Sequence, residues 1–309
     1  MKKFILKSLV FIFSMGLFYC SGIFILEHYL PSFLRPNISF KMGAYGHLHS
    51  RIKEVNDFKN VDILFLGSSH TYRGFDTRIF SKNGYHTFNL GSSSQTPLQT
   101  NILLNRYLNQ LAPKLIVYEV YPGTFMSDGV ESSLDLLSND KNDLDSFKMA
   151  FKTKNIKVLN TFIYASIRDM LNLNTNYTEQ NNKGVDTYIP GGYVEKEISY
   201  YTPKFIDKSE IVLRDNQLDN FEENIQKINN KNIDLMLVYA PISKSKYKSF
   251  NNKNHFDSLM HEHGKYYNFN EILSLNDSLH FYDSHHLNQK GVKKFNKKLI
   301  EILQNESQL

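Results

Sequence analysis

Two stretches lying far apart in this 309-residue chain carry the residue types that nucleophilic acyl transfer needs. The first is Gly67-Ser68-Ser69-His70, directly after the apolar run Ile63-Leu64-Phe65-Leu66. The second is Asp283-Ser284-His285-His286. A serine hydroxyl becomes a nucleophile when an imidazole takes its proton, and a carboxylate on the other ring nitrogen orients that imidazole. Ser69, His286 and Asp283 supply these three roles, and the Asp-x-x-His spacing lets one short loop or turn present both side chains to a strand end. Charge developing on the carbonyl oxygen needs donors. The backbone N–H groups of Ser69 and Gly91, each closing one of two adjacent strands, are the candidates. His285 is the competing base, with the spacing favouring His286. His70 reads as a pocket-lining residue, and Arg73 as an anion holder or, preferably, a partner of Asp76.

The elements that position these residues follow from periodicity. An apolar run of four after Asp62, bounded by small turn-forming residues, reads as a buried strand of a parallel sheet. Further strands are predicted at Thr87–Leu90, Leu115–Val120 and Asp234–Tyr239, with a short one at Lys265–Phe269. Helices are predicted near 75–80, 97–111, 215–230 and 288–303, Pro97 suiting a first helical turn. Strand and helix alternate, which argues for an α/β fold with a mainly parallel sheet and right-handed crossovers. Ligands of such sheets sit beyond the carboxyl ends of the strands, where Ser69 falls. Residues 124 to about 210 break the rhythm. They read as an insertion with one helix near 155–173, serving either as a lid over the site or as cover for a sheet edge.

Composition excludes several classes. Hydrophobic residues make up 41% and charged residues 22%, ordinary for a globular chain. The net charge of +5 is modest and the lysines are interspersed with acids, so no nucleic-acid partner is expected. The single cysteine, Cys20, forms no intramolecular disulfide and supports no cysteine-based zinc site. From Ser8 to Leu26 the chain has no charged residue, long enough for a membrane span. Lys2, Lys3 and Lys7 precede it, so a single-pass helix with its N-terminus inside and the remainder outside is expected. A cleaved signal or a lipoprotein at Cys20 are the alternatives. The expected division is therefore an anchor over 1–27, a juxtamembrane connector over 28–58 interrupted by Pro31, Pro36, Gly43 and Gly46, and a main domain over 59–309. His47 and His49 in the connector, and His261 and His263, read as surface histidines rather than metal ligands.

Order and position of the blocks sharpen the reading. GSSHTYRGFD, FNLGSSSQTP and FYDSHHLNQKG together resemble the SGNH (GDSL-like) hydrolase superfamily, in particular its membrane-anchored bacterial branch acting on acyl groups of the cell envelope. The resemblance covers roughly residues 60–122 and 230–305. It implies a three-layer α/β/α sandwich, Ser69 as nucleophile, Gly91 as an oxyanion donor, and Asp283 and His286 completing a triad. Ser68 stands where the family has aspartate. The family's Gly-x-Asn block has no counterpart in Tyr118-Glu119-Val120-Tyr121-Pro122, leaving Gln95 and Tyr121 as substrate-side candidates for the third donor. The implied substrate is an acyl, most simply acetyl, ester of an envelope glycan or lipid, with a membrane acyltransferase as the implied partner, and no cofactor. Two other readings stay open: an inactive binding or assembly protein of this fold, and a metal hydrolase using Asp283, His285 and His286.

Overall fold

The computed structural model describes residues 1–35 and 37–306; Pro36 lies outside them. The chain opens with α1 (Lys2–Tyr29) and a short α2 (Leu48–Glu54). It then builds β1 (Ile63–Leu66), α3 (Ser69–Gly74), α4 (Thr77–Lys82), β2 (Thr87–Asn89), α5 (Pro97–Leu111) and β3 (Leu115–Glu119). Next come α6 (Pro122–Met126), α7 (Val130–Asn139), α8 (Leu144–Lys152) and α9 (Ile156–Met170), followed by the short strands β4 (Asn182–Lys183), β5 (Asp186–Ile189) and β6 (Tyr193–Lys196). The last part holds α10 (Asp215–Asn229), β7 (Asp234–Tyr239), α11 (Lys244–Tyr247), α12 (Lys253–His263), β8 (Lys265–Asn268), α13 (Phe269–Ile272), α14 (Asp277–His280) and α15 (Gln289–Asn305).

Five strands form one parallel sheet in the order β2-β1-β3-β7-β8. Every residue of β1 and β3 is buried, because helices cover both faces and neither strand can alternate polar with apolar. Ile63, Phe65, Leu115, Val117, Met236 and Val238 point to one side, where Phe75, Phe80, Phe295 and Leu299 of the α4 and α15 layer meet them. The alternate residues point to α5 and α10; Tyr118 lies 5.5 Å from the ring of Phe221 and receives Asn224 on its hydroxyl. Because β2 and β3 flank β1 on opposite sides, the chain reverses its direction of travel across the sheet there. The crevice for chemistry therefore opens beyond the carboxyl ends of β1 and β3.

The chain separates into two compact units, Met1–Met42 with Ser133–Thr178, and Gly43–Ser132 with Glu179–Leu309. This differs from the sequence division at both the connector and the insertion. Residues from Gly43 onward belong with the sheet. Arg51 of α2 is fully buried, donates from Nε and Nη2 to the Gly192 carbonyl at 3.0 and 2.9 Å, and lies over the Tyr72 ring. His47, read as a surface histidine, is fully buried beside Tyr188. Its neighbours come from residues more than a hundred positions later, which a local pattern cannot announce. The insertion divides likewise. Its later part makes a small antiparallel sheet, β4-β5-β6, whose Gly191-Gly192 turn accepts the N–H of Asn89 on edge strand β2 at 2.8 Å. Gly192 has φ +92, and a Cβ there would stand 2.2 Å from the Asn89 carbonyl oxygen, so glycine alone permits this docking. The earlier part, including α8 and α9, groups with α1.

Candidate active site

At the end of β1 the chain turns through Gly67, whose φ is +137; a Cβ there would meet Thr71 Oγ1 at 2.5 Å and Glu119 Cβ at 2.8 Å. That turn starts α3 immediately, a helix the sequence reading missed. Ser68 caps it by accepting the His70 N–H at 3.3 Å, and Ser69 is its first residue. The Ser69 N–H therefore has no acceptor within the helix and finds none among the described residues.

Ser69 Oγ lies 2.8 Å from His286 Nε2, and His286 Nδ1 lies 2.9 and 3.1 Å from the two oxygens of Asp283. Residues 217 positions apart are thus in hydrogen-bond contact. Asp283 Oδ1 also accepts the N–H groups of His285 and His286 at 2.7 and 2.8 Å. The carboxylate therefore ties up the turn that carries the imidazole, which is the physical content of the Asp-x-x-His spacing. Burial alone would raise the Asp283 pKa, but the His286 ring and those two N–H groups outweigh it and hold the group well below the ordinary carboxylate range.

The His286 ring is held between two others: Tyr282, parallel to it at 5.3 Å, and His70 at 5.0 Å. Tyr282 in turn lies near Lys196 Nζ and the Arg73 guanidinium. Arg73 does not pair with Asp76, which holds Arg78 instead; it makes a two-pronged bond to Asp186 of β5 at 2.8 and 2.7 Å. An insertion residue thereby braces the stack that carries the imidazole. Only a fold that returns β5 to α3 brings this pair together.

Behind the serine turn sits Glu119, the last residue of β3 and fully buried. Its Oε2 accepts the Ser68 hydroxyl at 3.0 Å and the Ser68 N–H at 3.4 Å. The same hydroxyl oxygen meets His70 Nδ1 at 3.0 Å. Burial pushes the Glu119 carboxyl up to about 8, against the opposing hydrogen bonds of Ser68. It pushes His70 well below the usual imidazole range, helped by the neighbouring His286 and His285. Two neutral titratable groups thus share one serine hydroxyl beneath the nucleophile. The sequence signal was an acidic residue closing an otherwise apolar central strand.

Ser69, His70, Ser94, Tyr121, His285 and His286 are among the residues lining a cleft of about 240 Å³. Tyr121 Oη lies 3.1 Å from His285 Nδ1, and burial first, then His286 and Lys246, lowers the His285 pKa to about 4. Gly91 and Gln95 are placed differently from their sequence roles. The Gly91 N–H donates to Asn89 Oδ1 at 3.1 Å; its lack of a side chain is explained by Thr71 Cβ and the Ser68 carbonyl, which a Cβ would meet at 2.8 and 3.0 Å. Gln95 is buried, bonded to Ser92 and Thr100, and does not line the cleft. A larger groove of about 820 Å³ lies between α4, β6 and α15, but its lining includes neither serine nor histidine. Among the described residues no group of three or more His, Cys, Asp or Glu side chains is arranged to hold a metal ion. His286 Nδ1 turns to Asp283 and His285 Nδ1 to Tyr121, so the three residues do not converge on one point.

No family model matches this chain, and no curated protein does. Among solved structures it is similar to a candidate acylhydrolase of Bacteroides fragilis NCTC 9343, with TM-score 0.42 and 11% identity over 85% of this chain and 98% of that one. It is also similar to a GDSL-like lipase of Bacteroides thetaiotaomicron VPI-5482, with TM-score 0.41 and 12% identity over 83% of this chain and 98% of that one.

Proposed function

We propose that this protein is a membrane-anchored serine esterase or O-acyltransferase acting on acyl esters of an envelope glycan or lipid. The observation that carries the reading is the continuous chain from Ser69 Oγ to His286 to Asp283, at 2.8 and 2.9 Å. Ser69 Oγ attacks the ester carbonyl while His286 Nε2 takes its proton. Asp283 stabilises the imidazolium through Nδ1. The oxyanion meets the Ser69 N–H at the start of α3. Collapse expels the alcohol, which receives the proton from His286, and leaves an acyl-serine. Water as second acceptor gives hydrolysis; a sugar hydroxyl gives transfer, with the acyl group supplied at the membrane by a partner acyltransferase. A cleft of about 240 Å³ suits a short acyl group with part of its carrier.

The anchor reading is supported by α1, with 28 residues and mean hydropathy of 2.3 over its most apolar window. Lys2, Lys3 and Lys7 orient it with the N-terminus inside and the domain outside. The test is labelling of the detergent-solubilised protein with a serine-reactive fluorophosphonate, in wild type, Ser69→Ala and His286→Ala. Loss of label in both variants supports the reading. A folded wild type that takes no label favours the second reading, an inactive binding or assembly protein. The engaged Gly91 N–H is the observation on that side, since it leaves fewer free oxyanion donors.

A further inference from the structure

The buried groups beneath the nucleophile allow few arrangements of their protons. Ser68 Oγ has one hydrogen and two lone pairs to share among three neighbours. Glu119 Oε2 and His70 Nδ1 each lie 3.0 Å from it, and the His70 N–H donates to it at 3.3 Å. That N–H takes one lone pair. Of the other two neighbours, one must then donate to the oxygen and the other must receive its hydrogen.

Two arrangements satisfy this count. In the first, Glu119 donates a proton from Oε2 to Ser68, and the Ser68 hydroxyl donates to His70 Nδ1. His70 is then neutral with its proton on Nε2. In the second, Ser68 donates to Glu119 and His70 donates from Nδ1, which leaves Nε2 bare. Glu119 closes β3 fully buried, and burial outweighs the Ser68 and Tyr121 N–H groups to push its carboxyl up to about 8. Its Oε1 makes no hydrogen bond among the described residues, so a proton there would be buried and unused. A neutral Glu119 therefore selects the first arrangement, and an ionised one the second.

The choice matters to the base. His70 is one of the two rings that hold His286, 5.0 Å away and inclined by 22°. His286 turns positive when it takes the Ser69 proton, so the ring against it must stay neutral. In the first arrangement Nδ1 is engaged by the Ser68 hydroxyl and Nε2 already carries its proton, so His70 has no lone pair to offer. In the second, a bare Nε2 competes with His286 for the proton. The Glu119 anion would also stand behind the turn whose Ser69 N–H receives the oxyanion, and would oppose that charge.

We infer that Glu119 is a positioning residue for acyl transfer, whose proton acts through Ser68 to fix the His70 tautomer and keep that ring neutral against His286. It rests on the reading of Ser69 and His286 as nucleophile and base. The other groups facing the pair stay in one state. Tyr118, Tyr121, Tyr239 and Tyr266 face Glu119, and burial first raises each hydroxyl above its ordinary value. Asp283 and His285 face His70; the first is held well below the usual carboxylate range and the second is lowered to about 4.

The test measures the rate of fluorophosphonate labelling against pH, for the detergent-solubilised full chain and for Glu119→Gln. The glutamine amide donates to Ser68 at every pH and preserves the first arrangement. Wild-type Glu119 passes from about nine-tenths protonated at pH 7 to about one-tenth at pH 9. The ratio of the variant's rate to the wild-type rate should therefore rise about tenfold over that interval, and any titration common to both proteins cancels. A merely structural glutamate would scale the rate equally at each pH; a ratio constant within twofold overturns the inference and leaves the triad standing. A folded wild type that takes no label overturns the esterase reading and the inference with it. Solid-state 15N NMR of the wild-type chain labelled at histidine reads the tautomer without relying on the variant. The signals lost in His70→Gln should report a neutral ring protonated on Nε2 at pH 6.5 and on Nδ1 at pH 9.5. A proton on Nδ1, or an imidazolium, at pH 6.5 overturns the inference.

Discussion

Glu119→Gln probes the buried pair of titratable groups beneath the nucleophile. Glu119 ionises near 4.5 as a free side chain and near 8 in the folded protein, because it is fully buried and no cation stands against it. Between those values the folded state keeps a proton that the unfolded state has lost. The stability this group contributes is therefore complete below pH 4.5 and is lost as pH rises through 8. At about 1.36 kcal/mol per pH unit, the loss between pH 5.5 and pH 8 comes to about 3 kcal/mol. Glutamine preserves the shape and the neutral state and cannot titrate. The variant should therefore gain about 3 kcal/mol on wild type between pH 5.5 and pH 8, whatever their difference at pH 5.5. Urea unfolding of the detergent-solubilised chain, followed by circular dichroism since there is no tryptophan, measures it. Parallel stability curves for the two proteins would refute the argument and mean that Glu119 ionises in place without penalty.

Other perturbations test the surrounding geometry. Asp283→Asn should slow fluorophosphonate labelling by about 10²–10⁴-fold, because the amide neither sets the His286 tautomer nor stabilises its charge; rates within threefold of wild type would remove Asp283 from the site. Arg73→Ala and Asp186→Ala should each destabilise the protein by about 3 kcal/mol, since each strands the other's charge at a largely buried position. The double variant should cost clearly less than the two losses added together, and strict additivity would break the assigned pair. Gly67→Ala should cost about 3 kcal/mol or more and abolish labelling, because φ of +137 and the contact with Thr71 leave no room for a Cβ; a stable, fully labelled variant would contradict the turn. Tyr121→Phe should cost about 1 kcal/mol and leave the Ser69–His286 contact intact, so labelling within tenfold of wild type is expected.

Most of the fold was legible in the chain. The apolar runs at Ile63–Leu66, Leu115–Glu119 and Asp234–Tyr239 became parallel strands, and Pro97–Leu111 has its predicted ends. Strand and helix periodicities are local properties of a backbone, so a single sequence displays them. The same holds for Asp283 and His286, three residues apart on one turn, and for Ser69 at a strand end. Roles that depend on a neighbour's reach were less legible. Gly91 was read as a donor from its place after β2, yet its N–H is taken by Asn89 two residues earlier. Gln95 was read as facing substrate, but Ser92 and Thr100 hold it inside.

The sequence by itself determined the chemistry on offer: a serine at a sheet's carboxyl edge, an Asp-x-x-His turn, and an apolar helix behind three lysines. Tertiary structure alone decided what surrounds these groups. Asp186 meets Arg73 across 113 positions, Glu119 lies under Ser68 across 51, and α9 returns to α1 across 141. Such contacts arise because burying apolar faces forces distant segments together. The polar groups carried along must then find partners or shift their pKa values, and no window of neighbouring residues contains that information.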